Sequence, residues 1–313
     1  MARAALPPLP PRDGVGPSCV VVPGAGWPTV LDFLAERLPA LTRQAWQQRL
    51  QGGQVLDAQG RPVAAELACR SGLRLYYYRG WADEPALEGA PEQIVFQDDW
   101  LVVADKPHFM PVTPAGRFVQ RSLLVRLKRR LGLPGLSPIH RIDRETAGLV
   151  VLAVQPHTRA AYQGLFRDRA VHKLYEAVAP DRAELAQPRT HRSRLEPDPQ
   201  RFFISREQPG APNSETHVAR AAVLGKHALY HLRPVSGQRH QLRLHLCALG
   251  APILGDAFYP HVLRGPDAPD DRTRPLQLLA RELAFDDPYT GQRRQFTSGL
   301  ELAAAAQRWP LTS

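Results

Sequence analysis

The sequence predicts an α+β protein, with a mixed, largely antiparallel sheet preceded by a small helix-helix-hairpin domain. Three observations carry this. Strand-like and helix-like stretches interleave without the strict alternation of a βαβ fold. Pairs of apolar runs flanking turn residues recur along the chain, the signature of hairpins. No internal repeat or heptad pattern is present, which sets aside solenoids and coiled coils.

Taken in order, residues 1–26 are rich in Pro and Gly, show no periodicity and read as a loose tail or an arm laid over a surface. From Pro28 the pattern changes: Val30, Leu31, Leu34 and Leu38 recur at helical spacing after Thr29, a candidate N-cap. Thr42 starts a second helix with Ala45, Trp46 and Leu50 on one side, stopped by Gly52-Gly53. Short strands follow around Val55-Leu56, Val63 and Leu73 to Tyr78, completing a small domain over 27–85, and Pro85 to Pro91 reads as a linker. A larger domain over 92–305 then opens with Ile94-Val95-Phe96 and Leu101 to Ala104 around the turn Asp98-Asp99. Arg121 to Leu131 is a basic, Leu-rich helix, Leu149 to Val154 a buried strand, and Thr158 to Arg169 a helix facing inward through Tyr162, Leu165 and Phe166. Lys173 to Ala179 returns as a strand, His217 to Leu224 and Ala228 to Arg233 form a hairpin, and His240 to Leu249 is a helix capped by Gly250.

Composition narrows the function classes. The chain of 313 residues allows one large or two ordinary domains at ~150 residues each, enough to bury a core without disulfide or metal staples. Lys and Arg number 40 against 30 Asp and Glu, a net charge of +10 that favours a polyanionic partner such as nucleic acid. Cys19, Cys69 and Cys247 stand far apart with no zinc-like spacing, so a reducing cytoplasm is expected. Proline interrupts Ala4-Ala5-Leu6-Pro7-Pro8, and no apolar run approaches the ~20 residues of a membrane span, so no membrane association is expected.

Three stretches can carry chemistry. In His140-Arg141-Ile142-Asp143-Arg144-Glu145-Thr146-Ala147-Gly148 a short acid sits among arginines in a loop feeding a buried strand. Either it is a loop salt bridge or cap, or the guanidinium groups lower its pKa and keep it ionised as a nucleophile or base. In Lys173-Leu174-Tyr175-Glu176-Ala177, the residues Lys173, Tyr175 and Ala177 share one strand face. That face is a stacking platform for a base or, more commonly, ordinary strand packing. Ser236-Gly237-Gln238-Arg239-His240-Gln241-Leu242-Arg243-Leu244-His245 places Arg239 and Arg243 at i and i+4 near a helix N-terminus, a position suited to phosphate. The two histidines lack a third ligand at metal spacing.

Together and in this order, these blocks resemble the RluA-type pseudouridine synthases, whose signatures are HRxDxxTxG, KxYxA and GxxHQxRxH. Lys106-Pro107, Ile253-Leu254-Gly255-Asp256 and Pro275-Leu276-Gln277-Leu278 extend the resemblance over roughly residues 92–300. The small domain is similar in pattern to an RNA-binding domain named after a ribosomal small-subunit protein. Ala147 stands where the family commonly has Ser, and Gln238 where it often has Arg.

The resemblance implies a pseudouridine synthase fold with a central RNA-binding cleft and an isomerase that acts on uridines in ribosomal or transfer RNA. In that reaction the glycosidic bond breaks, the uracil rotates, and it rejoins through carbon 5. Asp143 matches the catalytic aspartate, Arg243 the arginine that pairs with it, and Tyr175 the tyrosine that stacks on uracil and is a candidate to remove the carbon 5 proton. His140, Arg141, Thr146, Lys173, Gly237, Arg239, His240 and Gln241 are implied as substrate-binding. The target base must leave its helix, at a cost of a few kcal/mol, and Arg141 is placed to fill the gap. No metal or organic cofactor is called for, and a monomer is expected. A non-catalytic RNA-binding or ribosome-assembly factor on the same fold is the alternative. A glycoside or nucleoside hydrolase would need a second positioned carboxylate or a water-activating metal.

Overall fold

In the computed structural model, residues 9–10, 15–24, 26–39, 41–78, 84, 89–116, 118–265 and 268–306 are described. Their contacts divide the chain into two units, residues 1–85 with 116–120, and residues 86–115 with 121–313. Part of the expected tail and linker lies outside the described residues.

The first unit follows its capping signals. Thr29 caps α1 (Val30–Arg37) in a full capping box, accepting from the Asp32 backbone while the Asp32 carboxylate receives the Thr29 N–H. Thr42 caps α2 (Arg43–Gln51) through the Ala45 N–H. The strands β1 (Ser18–Val21), β2 (Val55–Leu56) and β3 (Arg74–Tyr77) form an antiparallel sheet in the order β1-β3-β2. Phe33, Leu34, Trp46, Leu50 and Leu75 are buried together between the helices and that sheet. Here the structure corrects one expectation: Ser18–Val21 is not loose chain but the edge strand against β3. Its run of valines favours extended pairing, a local signal masked by the surrounding Pro and Gly.

The second unit is built on one sheet of eleven strands. Along the chain these are β4 (Gln93–Gln97), β5 (Leu101–Lys106), β6 (Ser137–Pro138), β7 (Ala147–Ala153), β8 (His172–Pro180), β9 (Arg189–Pro197), β10 (Ser205–Gln208), β11 (Ser214–Leu224), β12 (His227–Pro234), β13 (Leu278–Asp286) and β14 (Arg293–Thr297). The order is β10-β9-β11-β12-β8-β13-β7-β5-β4, with β14 on β13 and β6 on β7. Only β13 with β7 pairs in parallel among the described strands, so the sheet is mixed and largely antiparallel.

Helices cover both faces, and period-two alternation decides which residue meets which helix. Leu101, Val103, Leu149 and Val151 pack on one side with Tyr162 of α4 (Arg159–Arg167). Val102, Ala104, Val150 and Leu152 pack on the other with Leu123 and Leu127 of α3 (Leu123–Leu131). This is why Leu101 to Ala104 of β5 and the whole of β7 read as apolar runs. Leu242 and Leu246 of α5 (Gln241–Ala248) seal the sheet over Ala177, Tyr230 and Leu232. Among the described residues, no helix is long and apolar enough to cross a membrane.

Candidate active site

A cleft of about 390 Å³ opens where the loop before β7, the strand β8, the turn after β12 and the start of α5 meet. Within it lie Asp143, Tyr175 and Arg243, together with His140, Arg141, Thr146, Lys173, Gly237, His240 and Gln241. Arg239 opens instead onto an adjoining groove of about 310 Å³ that also reaches Arg141, Asp143 and His240. The three sequence blocks therefore converge, although only some of their residues present free polar groups.

Asp143 keeps 25% of its side chain open, and its Oδ2 lies 3.8 Å from Arg243 NH1 and 4.0 Å from His240 Nε2. Burial raises its pKa, Arg243 opposes that rise, and Asp256 adds to it. The expectation that arginines leave this carboxyl below its usual range is thus reversed: the loss of water outweighs the guanidinium charge. Arg243 itself is 1% exposed, and its two hydrogen-bonded contacts go elsewhere. Its Nε and NH2 donate to Asp256 at 2.8 and 2.6 Å in a bidentate fork, while NH1 lacks a hydrogen-bond acceptor and points between Asp143 and Glu145, the latter at 3.7 Å. Asp256 and Glu145 are thus site residues to which the sequence reading gave no role. Asp256 was visible only as the last residue of Ile253-Leu254-Gly255-Asp256.

Lys106 is fully buried beneath the same loop and donates to the carbonyls of Pro107 and Arg144 at 3.0 and 3.2 Å. Burial pulls its pKa down to about 7 despite the charges of Glu145 and Asp143. Tyr175 is shifted the other way: burial and the Asp143 charge raise its phenol, so it stays protonated at neutral pH. A general base works best with a pKa near the operating pH, so this environment suits Tyr175 to packing against a base rather than taking a proton from one.

Several implied substrate ligands turn out to be committed to the scaffold. Gln241 accepts from Ser236 Oγ at 2.7 Å and the Gln238 N–H at 3.0 Å, and donates to Glu215 O and Thr216 Oγ1 at 2.9 Å. His140 accepts the Val151 N–H at 3.1 Å and stacks on Phe166 at 4.5 Å, with burial holding its pKa at about 3. The expected i, i+4 arginine pair is also absent. His240 adopts φ 59°, ending the turn, so α5 begins at Gln241 and leaves Arg239 outside it. Arg239 NH2 donates to the carbonyls of Phe202, at 2.8 Å, and Ile204. Groups still facing the cleft are Arg141, which is exposed, and Lys173, whose pKa burial lowers to about 8 while it donates to Ser236 O at 3.3 Å. Gly237 is exposed, with open space where a Cβ would stand. Thr146 is buried at the cleft wall, its N–H bonded to the Asp143 carbonyl at 3.2 Å.

Elsewhere His191, Glu207 and His245 bring one ligand atom each within 4.8 Å of one another. This grouping is held by hydrogen bonds: His191 to Glu207 at 2.9 Å, and His245 to Thr216, Ser193 and Ser214 at 2.9, 3.1 and 3.0 Å. Both ring nitrogens of His245 are thereby committed to hydroxyl groups.

Comparison with known proteins agrees with this geometry. A family model described as RNA pseudouridylate synthase matches residues 100–248. An RNA pseudouridine synthase of Synechocystis is 30% identical over 237 residues, covering 74% of this chain and 79% of the relative. The dual-specificity RNA pseudouridine synthase RluA of Haemophilus influenzae is 32% identical over 219 residues, covering 66% and 91%. Among solved structures, human RNA pseudouridylate synthase domain containing 4 aligns with a TM-score of 0.54 at 26% identity, over 69% of this chain and 92% of that one. With the signature blocks gathered into one cleft and relatives matched over most of their length, the chain belongs to the RluA-type RNA pseudouridine synthases, isomerases that convert uridine in RNA to pseudouridine.

Proposed function

We propose that Asp143 is the nucleophile of this isomerisation and that the substrate is a uridine in ribosomal or transfer RNA. The observation that carries the reading is Asp143 on the cleft wall, partly open, facing the one guanidinium nitrogen of Arg243 that has no hydrogen-bond acceptor. A fixed donor beside a carboxylate aims it and stabilises charge as the attack proceeds. Tyr175 packs against the flipped uracil, Arg141 fills the vacated stack, and Lys173 meets the backbone. Overall the N1–C1′ bond breaks and a C5–C1′ bond forms, while C5 loses a proton and N1 gains one. The atoms balance without a co-reactant. The first unit serves as an accessory RNA-binding domain, and the protein acts as a cytoplasmic monomer.

Because C5 releases its hydrogen, RNA labelled with tritium at C5 of uridine reports turnover as tritiated water. Asp143→Ala is expected to abolish release while RNA affinity changes little. Pseudouridine mapping across ribosomal and transfer RNA from cells carrying either form then locates the target. Normal release by the alanine variant would remove Asp143 from the role of nucleophile. A chain lacking residues 1–90 that keeps full affinity and site choice would remove the accessory role of the first unit.

A further inference from the structure

Phe202 is 77% exposed, yet it is held on a rigid turn. Asp198 closes that turn, accepting the N–H groups of Gln200 and Arg201 at 2.9 and 2.8 Å, and the Asp198 N–H donates to Ile204 O at 3.1 Å. Arg239 fastens the other side through the carbonyls of Phe202 and Ile204. A lone exposed apolar side chain is unremarkable in a soluble protein. This one differs because its backbone is fixed on both sides and its ring begins an aromatic series that runs to the active site.

The series is continuous. Phe202 meets Phe203 edge-on at 5.7 Å, Phe203 meets Phe258 at 5.4 Å, and Phe258 lies against His240 at 5.9 Å and under the Arg243 guanidinium at 4.9 Å. Phe203 also lines the groove that reaches Asp143. Cations accompany it: Arg206 is exposed just after the turn, Arg201 is exposed with one nitrogen on Asp198 at 3.2 Å, and Arg141 lines the groove, while Arg239 adds charge from its fixed place on the turn. An exposed ring among arginines, one ring away from such a groove, has the composition of a single-strand nucleic-acid platform, where bases stack on aromatic faces and phosphates meet cations.

We propose that Phe202 stacks on an unpaired base next to the target uridine, so that the RNA is gripped beside the groove while the uridine enters the cleft. This rests on the proposed site at Asp143 and adds to it a residue that sets affinity and choice of RNA. Because the turn is already ordered, little conformational freedom is lost when the base docks. A planar base gains from a π face at this position and not merely from apolar surface.

The test compares wild type with Phe202→Ala, Phe202→Leu and Phe202→Trp in the full chain. One readout is tritium release from C5-labelled RNA of cells lacking the protein, resolved into kcat and KM. The other is binding of a short single-stranded RNA carrying 2-aminopurine beside a uridine, followed by anisotropy and by quenching of the 2-aminopurine. Phe202→Ala and Phe202→Leu should each raise KM and Kd about tenfold, the loss of one base–aromatic stack, with kcat unchanged and quenching lost. Phe202→Trp should restore both constants. Wild-type behaviour of the alanine variant overturns the proposal, and wild-type behaviour of the leucine variant replaces stacking with simple apolar contact. If the wild-type protein released no tritium, the reading of Asp143 would fail, while the oligonucleotide arm would still decide the role of Phe202.

Discussion

Arg243 faces three carboxylates at once, and the way it divides among them sets the character of the site. Its fork with Asp256 fixes the guanidinium plane, so NH1 is presented to Asp143 without being consumed by it. Asp256 in turn accepts the N–H groups of Phe258 and Tyr259 at 2.8 and 3.2 Å, tying the arginine to backbone rather than to a mobile side chain. Asp256→Asn keeps the shape and removes the charge, leaving a buried arginine short of a partner. Breaking such a pair costs about 3–5 kcal/mol of stability, read as a lower midpoint in urea unfolding. The Asp256 charge also raises the Asp143 pKa, so its removal should move the acid limb of the kcat/KM profile to lower pH. An unmoved limb would show that Asp256 holds the scaffold without acting on Asp143. At this scale the meeting of Asp143, Tyr175 and Arg243 in one cleft was legible because each sits in a short block of its own, and the three blocks in this order resemble one family. The commitments of Gln241, His140 and Arg239 were not, since each is set by a partner distant along the chain, such as Glu215, Val151 or Phe202.

The Asp143 loop is placed by strands that differ greatly in how plainly they announce themselves. Leu101 to Ala104 of β5 and the whole of β7 are apolar on both faces, and the sequence reads them directly. The strands β9 and β13 were not expected. Arg189–Pro197 is largely polar, and its side chains pair across strands, as Arg192 does with Glu215 at 2.9 Å. Leu278–Asp286 loses its alternation at a bulge between Ala280 and Glu282, and it holds Arg281 against Glu176 at 2.7 Å. Yet β13 matters most for position, since its parallel pairing sets Leu279 against Ala147 and Ala280 against Gly148, directly after the Asp143 loop. Gly148 sits at φ 109°, and a Cβ there would stand 2.6 Å from the Ala280 nitrogen and collide with its carbonyl oxygen. Gly148→Ala must therefore separate β7 from β13 or distort the loop. Backbone strain of this kind costs about 1–3 kcal/mol, so the urea midpoint should fall and tritium release should fall with it. A variant with unchanged midpoint and turnover would show that the two strands part without cost and that the loop does not depend on their contact.

Over the whole molecule, the buried histidines and Lys106 make stability rise with pH, while the carboxyls of Asp105 and Asp143, which burial raises, act in the opposite direction on the acid side. Burial depresses His108 and His245 to about 4 and His140 and His240 to about 3. Each ring has a fixed bond in its neutral form, such as His108 Nδ1 with Glu145 O at 2.6 Å and His240 Nδ1 with the Tyr259 hydroxyl at 2.9 Å. In the unfolded chain these rings titrate near 6.5, so below that pH the unfolded state takes up protons that the folded state refuses. Their contribution is present above pH 6.5 and lost as pH falls toward 4, at ~1.4 kcal/mol per pH unit for each proton. Lys106 extends the trend: its folded pKa of about 7 against an unfolded value near 10.5 makes stability rise through that alkaline interval as well. Self-repulsion acts in the same direction, since the net charge of +10 declines as pH approaches a pI near 10.0. Four histidines and self-repulsion outnumber the two raised carboxyls, so the fold should be acid-labile. The raised thiols of Cys69 and Cys247 and the raised phenol of Tyr175 lower stability again at high pH, which puts the maximum just above neutrality. His108→Asn isolates one ring, because the Asn amide can donate to Glu145 O in place of Nδ1–H. Measured from urea unfolding around pH 5.5, the slope of stability against pH should fall by about one proton in this variant. An equal slope in both proteins would mean that His108 titrates alike folded and unfolded, and that its burial beside Lys106 does not exclude the charged ring.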